Sequence, residues 1–226
     1  MEEKWDQFPR VKRDPEVRAL VGAADDRLRA IGLNEHGFRH VCLVADTASR
    51  LLRELGFDGH VQDQARIAGL LHDIGNAIAR EHHASTGACL ADSILSRLDV
   101  PHGDIAVVIG AIASHGDDHG SPGIATDAVS AALILADKSD VHRSRVWGRD
   151  TSYMDRHDLV GFSVLSSWIR ADRRSGSIRW DLEQDSAIAT EREFLNLFAE
   201  QLRMCEQAAR CLGCSFRIVL SGVACE

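Results

Sequence analysis

Residues 69–76 read GLLHDIGN, and the way this octapeptide closes an apolar helical stretch decides the fold. Ala65, Ala68 and Leu71 recur at helical spacing, so a helix is expected from about 59 to 74 with that face turned inward. His72 follows Ala65 by seven residues and Ala68 by four, which places it on the buried stripe. Asp73 stands about 100° further round the same helix. A carboxylate buried without a partner costs several kcal/mol or takes up a proton, so this position calls for a compensating charge.

Each neighbouring segment repeats the pattern. In HVCLVADTASRLL (40–52), His40 lies four residues before Val44 and eleven before Leu51 on the inward side, and Gly56 stops that helix. In HASTGACLADSIL (83–95), His83 leads the row Gly87, Leu90 and Ile94, a placement the adjacent His82 lacks. In AIASHG (111–116), His115 follows Ile112 by three residues and Val108 by seven. In LILADKSDVHRSR (133–145), on a helix expected from about 127 to 147, Asp137 follows Leu133 by four and Val129 by eight. One inward histidine is ordinarily a satisfied core group. Five helical segments all turning His or Asp toward one interior point to a single cause. A metal centre neutralises the aspartates and gives each imidazole lone pair a partner.

The ordered set H…HD…H…H…D resembles the HD superfamily of metal-dependent phosphohydrolases, over residues of about 35 to 147. The resemblance implies a mainly α fold, an HD-domain helical bundle. It also implies two divalent metal ions: His40, His72, Asp73 and Asp137 around one, with Asp73 bridging to a second completed by His83 and His115. Nitrogen and carboxylate ligands without thiolate suit Mn²⁺, Fe²⁺ or Co²⁺ and allow Zn²⁺, Ni²⁺ or Mg²⁺. Such a pair lowers the pKa of water toward about 7 and so supplies a hydroxide to attack phosphorus at neutral pH. Asp73, Lys138 and His119 are the candidates for catalytic work. His119 lies in the loop beside His115, with the carboxylates Asp117 and Asp118, where it would protonate a leaving group or serve only as a solvated loop histidine. Asn76, Arg143 and Arg145 are the candidates for substrate contacts, the arginines being equally consistent with a salt-bridged helix surface. Many relatives carry lysine where Asn76 stands, and the GYP run of the cyclic-dinucleotide branch is absent from SHGDDHGSPG (114–123). Two other chemistries share this ligand set: a diiron HD-type oxygenase, and a non-catalytic ligand-sensing module.

Beyond this region the period changes. Val160, Phe162 and Val164, then Ile178, Trp180 and Leu182, alternate as strands do, joined by a charged turn over 172–176. Phe194, Leu195, Phe198, Leu202, Cys205, Ala209 and Leu212 mark one long helix capped by Gly213, and Phe216, Ile218 and Leu220 a last strand. The expected division is a helical metal-binding domain over 1–157 and a small ββαβ (α+β) unit over 158–226, packed on or beside it. In the N-terminal part, one helix is expected from about 15 to 30, with Asp14 as cap and Pro15 in its first turn.

The formal net charge of −8 argues against a surface that coats nucleic-acid polymers. A small phosphorylated, nucleotide-like substrate is the expected partner, with a homodimer allowed for. No apolar run approaches the roughly 20 residues of a membrane span, and the charged N-terminus has no apolar core of a secretory signal. A cytoplasmic protein with reduced thiols is therefore expected, and the pair Cys211 and Cys214 is read as structural.

Overall fold

The computed structural model describes residues 6–116, 123–148 and 151–223. It is mainly α, with a three-stranded sheet near the C-terminus. The helices are α1 (Phe8–Arg13), α2 (Pro15–Ala30), α3 (Phe38–Leu55), α4 (Gly59–Leu71), α5 (His83–Arg97), α6 (His102–Ser114), α7 (Ala128–Lys138), α8 (Arg156–Ser163), α9 (Glu191–Leu197) and α10 (Ala199–Cys211). Strands β1 (Val164–Asp172) and β2 (Ser177–Asp185) pair antiparallel, and β3 (Ser215–Val223) joins β2 in parallel after the α9–α10 crossover.

Local chemistry sets the boundaries. Asp14 accepts hydrogen bonds from the backbone N–H groups of Glu16 and Val17 and starts α2. Gly56, at φ 87°, ends α3 in the left-handed region that favours glycine. Asp127 and Ser130 form a reciprocal capping box at the start of α7. One apolar core joins α1 to α7, with Val44, Leu52, Leu71, Ile94, Ile112 and Leu133 at its centre. A second cluster joins Leu51 of α3 and Ala131, Ile134 and Leu135 of α7 to Ile178, Trp180, Phe194 and Cys205 of the C-terminal unit. The sheet therefore packs on the two helices that carry His40 and Asp137.

Four local expectations are corrected. Helix α1 was not anticipated in the sequence. Its amide groups at Gln7 and Phe8 donate to the buried Asp63 carboxylate of α4, a tertiary contact. The helix from about 127 to 147 stops at Lys138, because Ser139 turns its hydroxyl back to the Ala136 carbonyl and Asp140 turns inward. Residues 160–163 do not belong to the strand, which starts at Val164: Val160 and Ser163 lie in α8, which Asp155 caps. Val160 and Val164 are four apart, a spacing that suits a helix as well as a strand. The long helix of 194–212 breaks at Phe198, whose ring stacks on Phe194 at 4.5 Å between centroids.

Candidate metal centre

Glycines let the site's elements approach. A Cβ on Gly69 of α4 would stand 2.6 Å from the Ala45 Cα of α3, so these helices touch backbone to backbone beneath His40 and His72. A Cβ on Gly75 would stand 2.6 Å from the Gly87 amide nitrogen and would also collide with the His83 carbonyl. The 3-10 turn over Ile74–Ala77 thus presses on the first turn of α5 and brings Asp73 toward His83. His82 takes a left-handed conformation (φ 57°) and stays exposed, while His83 is buried.

The six sequence-derived positions converge. His40, His72, Asp73, His83 and His115 are buried, and the Asp137 side chain is 12% exposed. Their ligand-type atoms form three groups, each within 4.8 Å: His40, His72 and Asp73; His72, His115 and Asp137; Asp73, His83 and His115. The two oxygens of Asp73 face different histidine pairs. Oδ2 lies 3.1 Å from His72 Nε2 and 3.5 Å from His40 Nε2. Oδ1 lies 3.7 Å from His83 Nε2 and 3.9 Å from His115 Nε2. Asn76 Nδ2 donates to Asp73 Oδ1 at 2.9 Å and fixes the carboxylate's rotation.

Every imidazole is oriented through its other nitrogen. Nδ1 of His72, His83 and His115 stands 2.9, 3.1 and 2.6 Å from the carbonyls of Gly69, Arg80 and Ile112. His40 Nδ1 stands 2.7 Å from Asp140 Oδ2. With Nδ1–H donating in each ring, the Nε2 lone pairs point together, the arrangement typical of metal-binding histidines. His40 Nε2 and His72 Nε2 are 3.3 Å apart. Two lone pairs at that separation repel unless a proton or a cation compensates them. The donor set therefore fits a divalent metal.

The electrostatics agree. Burial pulls the His40 pKa down, as does Arg145, yet Asp137, Asp140 and Asp73 outweigh both and hold it near about 9. Burial likewise opposes protonation of His72, but Asp73 and Asp137 raise it to about 10. Burial would raise the Asp73 and Asp137 carboxyls. Asp73 is nevertheless held well below the usual range by His72 and the other imidazoles, and Asp137 by Lys138 and the histidines. In the metal-free protein, protons on the imidazoles supply the charge that balances the carboxylates. Both imidazoles have folded pKa values above the unfolded 6.5, so their contribution to stability is full below about 6.5. Metal-free protein is accordingly expected to lose stability as pH rises through about 9 to 10. Calorimetric unfolding in chelator across that range checks it. A midpoint unchanged between pH 6 and 10 would contradict it.

Asp140 holds His40 in place from inside the fold. It is buried, it receives His40, and it is bracketed by Arg39 Nη2 at 2.9 Å and by the Arg145 Nε at 3.7 Å. Asp140→Ala is expected to weaken metal affinity by about 10–100-fold, the usual cost of losing an outer partner of a ligating histidine. Competition with a metal-sensitive dye measures this, and Asp140→Asn should recover part of the loss.

The other candidates separate. Lys138 Nζ pairs with Asp137 Oδ2 at 2.8 Å, and Lys138 and Arg145 line a cleft of about 380 Å3 over the centre. Asn76 is buried and bonded to Asp73. Arg143 lies over the Phe162 ring, 3.9 Å from Asp185, and turns toward the C-terminal unit. His119, with Asp117 and Asp118, lies outside the described residues. The cleft also takes His36, Arg80, His157 and Gln201, which carried no placement signal in the sequence. His36 precedes the helix that would have given it a periodicity. Burial and the nearby Arg145 push its pKa down to about 3, so it is neutral.

Comparison with known proteins gives a concordant picture. The HD domain profile matches residues 37–152. Over 170 residues the chain is 34% identical to Ribonuclease Y 1 of Pediococcus pentosaceus, covering 74% of this chain and 29% of that protein. Over 121 residues it is 31% identical to Ribonuclease Y of Opitutus terrae, covering 54% of this chain and 20% of that protein. The chain thus spans less than a third of the length of these curated relatives. Among the described residues no helix is long and apolar enough to cross a membrane.

Proposed function

This chain belongs to the HD-domain family, and from that premise we propose that it hydrolyses a phosphate ester or anhydride of a small, nucleotide-like substrate, using two divalent metal ions. The observation that carries the proposal is the division of Asp73, one oxygen toward His40 and His72 and the other toward His83 and His115. His40, His72, Asp73 and Asp137 would hold one ion, and His83 and His115 would complete the second around Asp73. The absence of thiolate favours Mn²⁺, Fe²⁺ or Co²⁺. Ions held there would lower the pKa of water to about 7 and screen phosphoryl charge.

The protein's own groups do the positioning. Asn76 holds the Asp73 carboxylate in the rotation that serves both histidine pairs. Asp140 keeps His40 in the Nδ1–H tautomer. Lys138, Arg80 and Arg145 bring positive charge to the cleft and would orient the phosphoryl oxygens. Arg145 is itself held by the Glu35 and Asp140 carbonyls, which leaves its Nη2 without a hydrogen-bond partner. The ribonuclease names of the relatives point to phosphodiester cleavage, which shares the attack on a phosphorus ester; the chain's net charge of −8 supports a smaller substrate.

Metal analysis of protein purified without oxygen, followed by a phosphate-release screen over nucleotides and small esters, tests the proposal. About two metal equivalents per chain and Mn²⁺-supported phosphate release under anaerobic conditions are expected. Activity that consumes oxygen and fails without it would replace the hydrolase with the diiron oxygenase.

A further inference from the structure

The cleft over the centre is lined unevenly. Its buried end carries Asp73, His83 and His115, with the partly buried cations Lys138 and Arg145; Arg80, which also lines the cleft, is exposed. Its outer end is supplied by Asp155, His157 and Asp158 at the start of α8, by Phe198 between α9 and α10, and by Gln201 of α10. Asp155 and His157 are exposed, which puts them at the mouth.

The outer end is rich in acceptors. Among the described residues neither Asp155 nor Asp158 has an ion pair, and the Asp155 carboxylate accepts only from the Asp158 backbone N–H, at 2.8 Å. Burial, followed by the charge of Asp155, raises the Asp158 pKa, as expected of two carboxylates sharing a site. Gln201 carries a buried side-chain oxygen with no hydrogen-bond partner, the counterpart of the unpartnered Arg145 Nη2 among the cations. Unmet buried polar groups are costly, and a ligand that supplies their partners gains what they lack. The tilted pair of His157 and Phe198, 5.6 Å between centroids, adds a flat surface beside the acceptors.

We propose that this cleft selects a phosphate monoester whose remainder is neutral and rich in hydroxyl or amino donors, the chemistry of a nucleoside or sugar monophosphate. It turns away a second phosphate. The inference rests on the phosphohydrolase reading and deepens it. The phosphoryl group sits among the cations at the buried end. The donors meet Gln201, Asp155 and Asp158. A further phosphate, or the continuing backbone of a polynucleotide, would have to pass Asp155 and Asp158, which have no ion pair among the described residues, and like charge there opposes it. The volume, about 380 Å3, lies toward the small end of the roughly 300–1,000 Å3 range of small-molecule sites.

The test uses the Mn²⁺-loaded full chain and five probes: adenosine 5′-monophosphate, glucose 6-phosphate, p-nitrophenyl phosphate, adenosine 3′,5′-bisphosphate and a short oligoribonucleotide. kcat/KM is measured beside equilibrium binding by calorimetry. At least one of the two donor-rich monophosphates is expected to exceed the bisphosphate, the oligomer and the nitrophenyl ester by about tenfold, and the ranking of the two identifies nucleoside or sugar as the source. The double change Asp155→Asn with Asp158→Asn keeps the α8 cap, since asparagine caps as well as aspartate. It is expected to narrow the monophosphate-to-bisphosphate ratio by about tenfold. Gln201→Leu should raise KM for the donor-rich monophosphate more than it lowers kcat. Preference for the bisphosphate or the oligomer, or a ratio unmoved in a double variant with wild-type metal content, would overturn the inference while the phosphohydrolase stands. No phosphate release from any probe would instead overturn the phosphohydrolase reading, and the calorimetric order of binding would still decide the selectivity.

Discussion

Asp73→Ala is expected to strip the metal and abolish phosphate release while far-UV circular dichroism stays that of a helical protein. Asp73 is the residue common to the His40–His72 group and the His83–His115 group. On the proposed two-metal reading its removal would take a ligand from both positions at once. The loss of metal affinity should therefore exceed the roughly 10–100-fold that follows loss of an outer partner alone. Activity should fall with the metal, by at least about a thousandfold, or 4 kcal/mol of transition-state stabilisation. The fold should survive, because the raised pKa values of His40 and His72 depend on the neighbouring carboxylates. Without Asp73 these imidazoles release protons rather than persist as buried unpaired charges. His72→Ala should give the same phenotype. Emission spectroscopy of purified variants measures the metal, and wild-type metal content in either variant would remove the assignment.

Gly75→Ala should be the most damaging single change that alters no charged or ligating group. The added methyl would collide with the His83 carbonyl and the Gly87 amide nitrogen, and backbone atoms cannot rotate aside as a flexible side chain can. Overpacking of this kind costs about 3 kcal/mol, the upper part of the usual range. For a chain of this size that corresponds to a fall in Tm of roughly 6–12 °C. The only relief is to move the Ile74–Ala77 turn away from α5, which separates Asp73 from His83. Metal stoichiometry should therefore drop along with stability. Gly110→Ala is the matched control: it lies in the interior of α6 with no atom within 4 Å of the new Cβ. There alanine should be neutral or stabilising, by up to about 1 kcal/mol. A Gly75→Ala protein as stable as Gly110→Ala would mean that the turn and α5 are not in contact.

Much of the site was legible because a helix forces a choice at every inward position. His72 after Ala65 and Ala68, and Asp137 after Val129 and Leu133, interrupt apolar stripes that burial would otherwise continue. The C-terminal pattern was also legible where alternation was long enough: Ile178, Trp180 and Leu182 are the buried side of β2. It failed over 160–163, where Val160 and Val164, four apart, suit a helix as well as a strand. It failed again at Phe198, where α9 ends and α10 begins although the apolar spacing continues through it.

The sequence by itself determined the helical frame and the identity of the six inward polar residues, because periodicity is a local property of the chain. The partners of those residues were decided only by the tertiary structure. Asp140 meets His40 across 100 residues of chain, and the cleft draws His36, His157 and Gln201 from three separate segments. Such contacts depend on how closely whole elements approach, at Gly69 against Ala45 and at Gly75 against Gly87. No spacing within a single helix encodes that distance.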